Sequence, residues 1–170
     1  ERVVKSLRSN VTFYKQGNVK ESEMFRDAAP VKINFFSADS IFHKLDTSFT
    51  VRITSESSFI LEDIEGNKTK DHNFGDLIKT NFGEMSITPL KKGKFEDNEE
   101  VIIKIVPFER VVERYRKALQ IQPVSKQASV LQISLTDPVK AKAIEILDNL
   151  VSQYNNDAVE DKNLTSKNTN

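Results

Sequence analysis

Two histidines, His43 and His72, are the side chains best suited to acid–base work or metal ligation at neutral pH. They stand 29 positions apart, each in a polar stretch, and read as two surface residues. The chain has no Gly-x-Ser-x-Gly turn, no His-Glu-x-x-His helix and no dinucleotide glycine fingerprint. Glu65-Gly66-Asn67-Lys68-Thr69 looks like the end of a phosphate loop, but it lacks the first glycine at the spacing that would let backbone amides cradle a phosphate. It is expected to be a turn. Of the 25 acidic residues none is paired in an apolar setting that would raise its pKa. The absence of cysteine excludes disulfides and thiolate metal sites. The expectation is a chain without catalytic, cofactor or metal residues.

A sugar platform is the main rival to that reading. Such sites stack sugars on exposed aromatic faces, for which Trp serves best. Here there is no Trp, and of the three tyrosines, Tyr14, Tyr115 and Tyr154, the last two sit on helical apolar faces. The eleven Phe fall mostly at positions expected in strand cores, such as Phe49 and Phe59. Phe35 and Phe36 are adjacent, so one ring must face away from the other. The triplets starting at Asn10, Asn67 and Asn163 fit the N-glycosylation pattern and read as chance matches.

Composition narrows the classes further. The 170 residues suffice for a domain with a real core. With 25 basic and 25 acidic residues the net charge is zero, so nothing draws the chain to nucleic acid or an anionic membrane. No apolar run approaches the ~20 residues of a membrane span. The segment from Glu1 to Leu7 reads as the end of a helix, so the chain is expected to be a piece of a longer protein.

The elements that would carry any site follow from local pattern. Residues 1–9 form a short helical piece with Val3, Val4 and Leu7 on one face, and Val11 to Tyr14 a weak strand. Gln16-Gly17-Asn18 is a turn, and residues 19–29 are loop or one helical turn. Val31 to Phe36 is a strand. Phe49, Val51 and Ile53 alternate with Thr50, Arg52 and Thr54 as a half-buried strand, and after a serine-rich break Phe59 and Leu61 continue the hairpin. Glu84 to Thr88 and Val101 to Val106 are further strands, joined by the charged run 91–100, which reads as a solvated hairpin tip. Pro107 opens an amphipathic helix with Val111, Val112, Tyr115 and Leu119 inward. Leu119 to Val124 and Val130 to Leu135 are strands around the turn Ser125-Lys126-Gln127. The fold class expected is α+β: a mixed or antiparallel sheet with packed helices, a β-rich insert over about 31–106, and a C-terminal helix leaving the domain.

That last helix is the most informative segment. Asp137 can cap free N–H groups and Pro138 needs no N–H in a first turn. Ile144, Leu147, Val151, Tyr154 and Ala158 then recur at steps of three and four, the spacing of a packing seam. Up to Tyr154 the stripe is expected to pack on the domain's own sheet. Beyond Asn155 the chain is polar all round, which is unstable in a lone helix. The domain is expected to cover 1–158, with 159–170 the start of a long helix or a loose tail.

The same region carries a resemblance. Ile146-Leu147-Asp148-Asn149-Leu150, Tyr154-Asn155, Asp157-Ala158, Asp161-Lys162-Asn163 and Asn168-Thr169 are similar to the segment entering the long periplasmic helix of polysaccharide chain-length determinants, above all those fused to bacterial tyrosine autokinases. Val3-Val4-Lys5-Ser6-Leu7 with Asn10-Val11 and Tyr14, Glu23-Met24-Phe25-Arg26-Asp27 before Pro30, and Phe74-Gly75-Asp76-Leu77-Ile78-Lys79-Thr80 followed by Phe82-Gly83 resemble the same family. Asp148 departs from it, standing where the family more often has Asn. The resemblance implies a non-catalytic periplasmic scaffold of an inner-membrane polysaccharide co-polymerase. It implies self-association in the full-length protein, an inner-membrane polymerase or export machinery as partner, contact with nascent polysaccharide, and membrane attachment only through flanking spans. Any kinase domain would lie elsewhere. The alternative is an extracytoplasmic binding or sensor module for a carbohydrate or protein ligand.

Overall fold

A computed structural model describes residues 1–17, 20–90, 95, 99–125 and 129–167. In chain order the elements are α1 (Arg2–Ser6), β1 (Val11–Lys15), β2 (Ser22–Met24), a 3-10 turn (Arg26–Ala28), β3 (Val31–Phe35), α2 (Asp39–Phe42), β4 (Thr47–Ile53) and β5 (Ser58–Asp63). There follow β6 (His72–Asn73), β7 (Ile78–Thr80), β8 (Gly83–Pro89), β9 (Glu100–Ile105), α3 (Phe108–Ala118), β10 (Leu119–Pro123), β11 (Leu131–Leu135) and α4 (Lys140–Lys167). Helices and antiparallel sheets are both present, so the class is α+β. The chain divides into two compact units, Ser9–Val111 and a discontinuous one made of Glu1–Arg8 with Val112–Asn170.

The Ser9–Val111 unit holds two antiparallel sheets, ordered β2-β1-β9-β4-β5-β6 and β3-β8-β7. Strand alternation decides what they bury. Phe49, Val51 and Ile53 of β4 turn inward with Phe59 and Leu61 of β5 and Val101, Ile103 and Ile105 of β9. From the second sheet Val31, Ile33, Ile78, Met85 and Ile87 complete the same core. The β-rich part begins at Ser9, well before residue 31, because Val11–Tyr14 pairs residue for residue with Ile105–Ile102. The serine-rich break closes the β4–β5 hairpin through Thr54 N–H donating to the Ser58 carbonyl at 3.0 Å.

The expected turn lies slightly earlier, over Asp63–Asn67, and Lys68 already bridges back to Glu62. Asp63 Oδ1 accepts the N–H groups of Glu65 and Asn67, both at 2.9 Å, and Gly66 takes φ +84°. The bond from the Asn67 side chain, reinforced by these backbone bonds, holds the Asp63 carboxyl below its usual pKa. Phe35 is half-buried against Phe42 at 4.6 Å, while Phe36 is exposed, which is the split their adjacency required.

The second unit contains α1, the end of α3, the β10–β11 hairpin and α4. Its buried positions include Val3, Val4, Val112, Tyr115, Ala143 and Ile146. Several expected turns lie wholly or partly outside the described residues: Asn18, most of the charged run 91–98, and Lys126 with Gln127. So do Asn168-Thr169 and, for side chains, Leu164 and Thr165.

Candidate functional site

The start of α4 is fixed by a small polar network. Asp137 accepts the Val139 N–H at 2.8 Å through Oδ1, which turns the chain into α4 just ahead of its first residue, Lys140, instead of capping a helical N–H as expected. Its Oδ2 accepts the Tyr115 hydroxyl at 3.2 Å. Arg114 donates to that hydroxyl at 3.2 Å, with its guanidinium 4.8 Å from the Tyr115 ring centroid. Lys142, only 3% exposed, also bonds the Tyr115 hydroxyl. Burial pushes the Tyr115 pKa up, and the neighbouring cations oppose that shift. Hydropathy could not have flagged Lys142, because a lysine on a helix reads as solvent-facing. Pro138 is exposed and precedes the first helical residue.

From that anchor α4 runs for 28 residues, about 42 Å at 1.5 Å per residue. α1 lies along its middle, from Asn149 to Asp157. Arg2 forks onto both oxygens of Asp157, one contact at 2.8 Å, and the Ser6 hydroxyl donates to Asn149 Oδ1 at 3.2 Å. The hydrogen bonds from Arg2 lower the Asp157 pKa below the usual carboxylate value. Val3, Val4, Val112, Leu135, Ile146 and Leu150 line a groove of about 430 Å³ in this unit, beside Tyr115.

The stripe expected to pack is not the face that is buried. Ile144 is 48% exposed, Val151 44% and Tyr154 72%, while Leu147 and Ala158 are half-buried and Asn155 is exposed. The inward face carries Lys142, Ala143, Ile146, Asn149, Leu150, Gln153 and Asp157. At about 100° per residue it lies roughly a third of a turn away from the stripe. The reason is chemical: α1 meets α4 partly through polar pairs, so the face that binds it is mixed, and a hydrophobic period does not mark it. What the stripe supplies instead is three uncovered apolar side chains, Ile144, Val151 and Tyr154.

The histidines are not the surface residues expected. His43 is half-buried and stacks on Phe108 at 4.7 Å, and its backbone carbonyl accepts the Phe108 N–H at 2.8 Å at the start of α3. His72 is half-buried 5.8 Å from the Phe59 ring, with Nε2 enclosed and unpartnered. Both rings extend aromatic clusters, which is why a polar sequence neighbourhood misrepresented them. Among the described residues no group of three or more His, Asp or Glu is placed to hold a metal ion, and no helix is long and apolar enough to cross a membrane.

No protein-family model matches this chain, and no curated protein matches it either.

Proposed function

We propose that this chain is a non-catalytic scaffold domain of the polysaccharide chain-length-determinant kind, the periplasmic part of an inner-membrane co-polymerase that sets the length of an exported capsular or exopolysaccharide. The observation that carries the reading is α4: a 28-residue helix, anchored by Asp137, Tyr115 and Lys142, on whose apolar stripe Ile144, Val151 and Tyr154 are left uncovered. A helix held firmly at one end, with free apolar side chains along it, supports contact with other subunits or with export machinery better than it supports catalysis. The segment of resemblance falls on this helix, where Ile146–Leu150 forms the anchored part and Tyr154-Asn155 the exposed part.

The runner-up, a ligand-binding or sensor module, draws on the groove beside Tyr115. That groove is lined largely by aliphatic side chains, and the Tyr115 ring is 7% exposed, which leaves no aromatic face for a sugar to stack on.

The test is genetic. The chromosomal copy is changed to carry Val151→Asp with Tyr154→Asp, both exposed positions, and the exported glycan is sized by gel. A shifted length distribution at unchanged protein level supports the scaffold reading. An unchanged distribution overturns it.

A further inference from the structure

The β10–β11 hairpin is the least charged stretch of a chain in which 29% of residues are charged: between Leu119 and Leu135 only Lys126 carries a charge. Its register sorts the residues cleanly. Leu119 faces Leu135, Ile121 faces Ile133 and Pro123 faces Leu131 on one side, while Gln120 faces Ser134 and Gln122 faces Gln132 on the other. Towards its tip both sides carry uncovered apolar residues: Ile121 and Leu131, 56% and 60% exposed, on the apolar side, and Val124 and Val130, 61% and 62% exposed, on the other.

The edges differ. Val124 N–H donates to the Val130 carbonyl at 3.0 Å, so 124 and 130 are a hydrogen-bonded pair. Antiparallel ladders alternate, so the next pair, Pro123 with Leu131, exchanges no bonds, and neither does Ile121 with Ile133. The backbone groups of Leu131, Ile133 and Leu135 therefore point to the outer edge of β11, and those of Ile121 and Pro123 to the outer edge of β10. Among the described residues no third strand joins either edge. Proline has no N–H to offer, so β10 is the poorer template. The edge of β11 has its donors, and none of the charges or bulges that usually blunt an open edge.

Leu131-Gln132-Ile133-Ser134-Leu135 is also symmetric in pattern: apolar, polar, apolar, polar, apolar about Ile133. A two-fold contact needs a patch complementary to itself, and a neutral, symmetric strand meets that need without repulsion. We propose that β11 pairs antiparallel with β11 of a second copy of this chain, Ile133 opposite Ile133 and Leu131 opposite Leu135, giving a four-stranded sheet ordered β10-β11-β11-β10 with one continuous apolar face. A pairing of five residues a side belongs with interfaces below ~1,200 Å², so the association is concentration-dependent. The inference stands on the hairpin alone and is independent of the glycan reading.

The chain has no cysteine, so Ile133→Cys introduces its only thiol. In a hydrogen-bonded antiparallel pair the two Cα atoms lie ~5.5 Å apart, inside the disulfide range. Mild oxidation of Ile133→Cys is expected to trap a covalent dimer at least tenfold more efficiently than Ile121→Cys on the other edge. Gln132→Lys with Ser134→Lys, added on the polar face, sets like charges opposite each other across the two-fold and should suppress trapping. Gln132→Lys with Ser134→Glu should restore it. Equal yields from both edges, or trapping indifferent to the charge pairs, overturns the proposal. Sedimentation of the unaltered chain is the independent check: a monomer up to millimolar concentration also overturns it.

Discussion

The Tyr115 hydroxyl donates to Asp137 Oδ2 at 3.2 Å, so a residue of α3 holds the residue that leads into α4, 22 positions further on. Tyr115→Phe removes that donor and leaves Asp137 and the nearly buried Lys142 each short of a bond. Urea unfolding should show a loss of about 1–2 kcal/mol, the usual cost of leaving a buried polar partner unsatisfied. Burial raises the Tyr115 pKa, so its contribution is complete below the ordinary tyrosine value of ~10 and is lost as pH rises through the folded value. The variant should therefore unfold less steeply than the parent chain above about pH 10.

The Arg2–Asp157 pair makes the opposite prediction. The Asp157 pKa is lowered in the fold, so its contribution is present above ~4 and fades as pH falls through the folded value. Amide exchange in α1 should accelerate in that acid window in the parent chain and show no such step in Asp157→Asn. Both side chains are largely open to solvent, at 69% and 42% exposure, so half-molar salt should shrink the difference.

Substitutions on the two faces of α4 should separate cleanly. Ile146→Ala, at a position 6% exposed, should cost about 2–5 kcal/mol by thermal or urea unfolding. Val151→Ala and Tyr154→Ala should stay within about 0.5 kcal/mol of the parent, as exposed positions do. Equal losses on both faces would mean the stripe is the packed side after all.

Gly83 offers a backbone test. It sits at φ +119°, and a Cβ there would lie 1.7 Å from the Ser37 hydroxyl oxygen, which itself bonds the Phe82 carbonyl at 3.1 Å. Gly83→Ala should destabilise the β3–β8 pairing by about 1–3 kcal/mol, from strain plus clash. Adding Ser37→Gly should recover the clash and leave the strain, so a partial rescue by calorimetry is the expected result.

How far the sequence could be read depended on whether burial followed a period. β4, β5 and β9 announced themselves because each buries every second residue against one core, and Phe49-Thr50-Val51-Arg52-Ile53 is that rule in miniature. β6 and β7, two and three residues long, and the one-turn α2 carry no period to detect. β2 was hidden in the same way, because Ser22-Glu23-Met24 is a short polar strand held by pairing with β1. In α4 the start was legible from Asp137 and Pro138, but its continuation to Lys167 was left open against a loose tail, and the buried face was not legible. Asn149, Gln153 and Asp157 point inward to polar partners on or beside α1, and such a face has no apolar signature.

One hydrogen bond has an evolutionary consequence. Val106 N–H donates to the Asn10 carbonyl at 3.0 Å, beside the pairing of Val11 with Ile105, so the chain enters and leaves the two-sheet unit at adjacent points. A module whose two ends meet can be excised, lengthened or exchanged between homologous genes while the flanking helices keep their connection short. The two-sheet unit is thus a cassette, free to diversify in its loops at a pace different from that of the residues outside it.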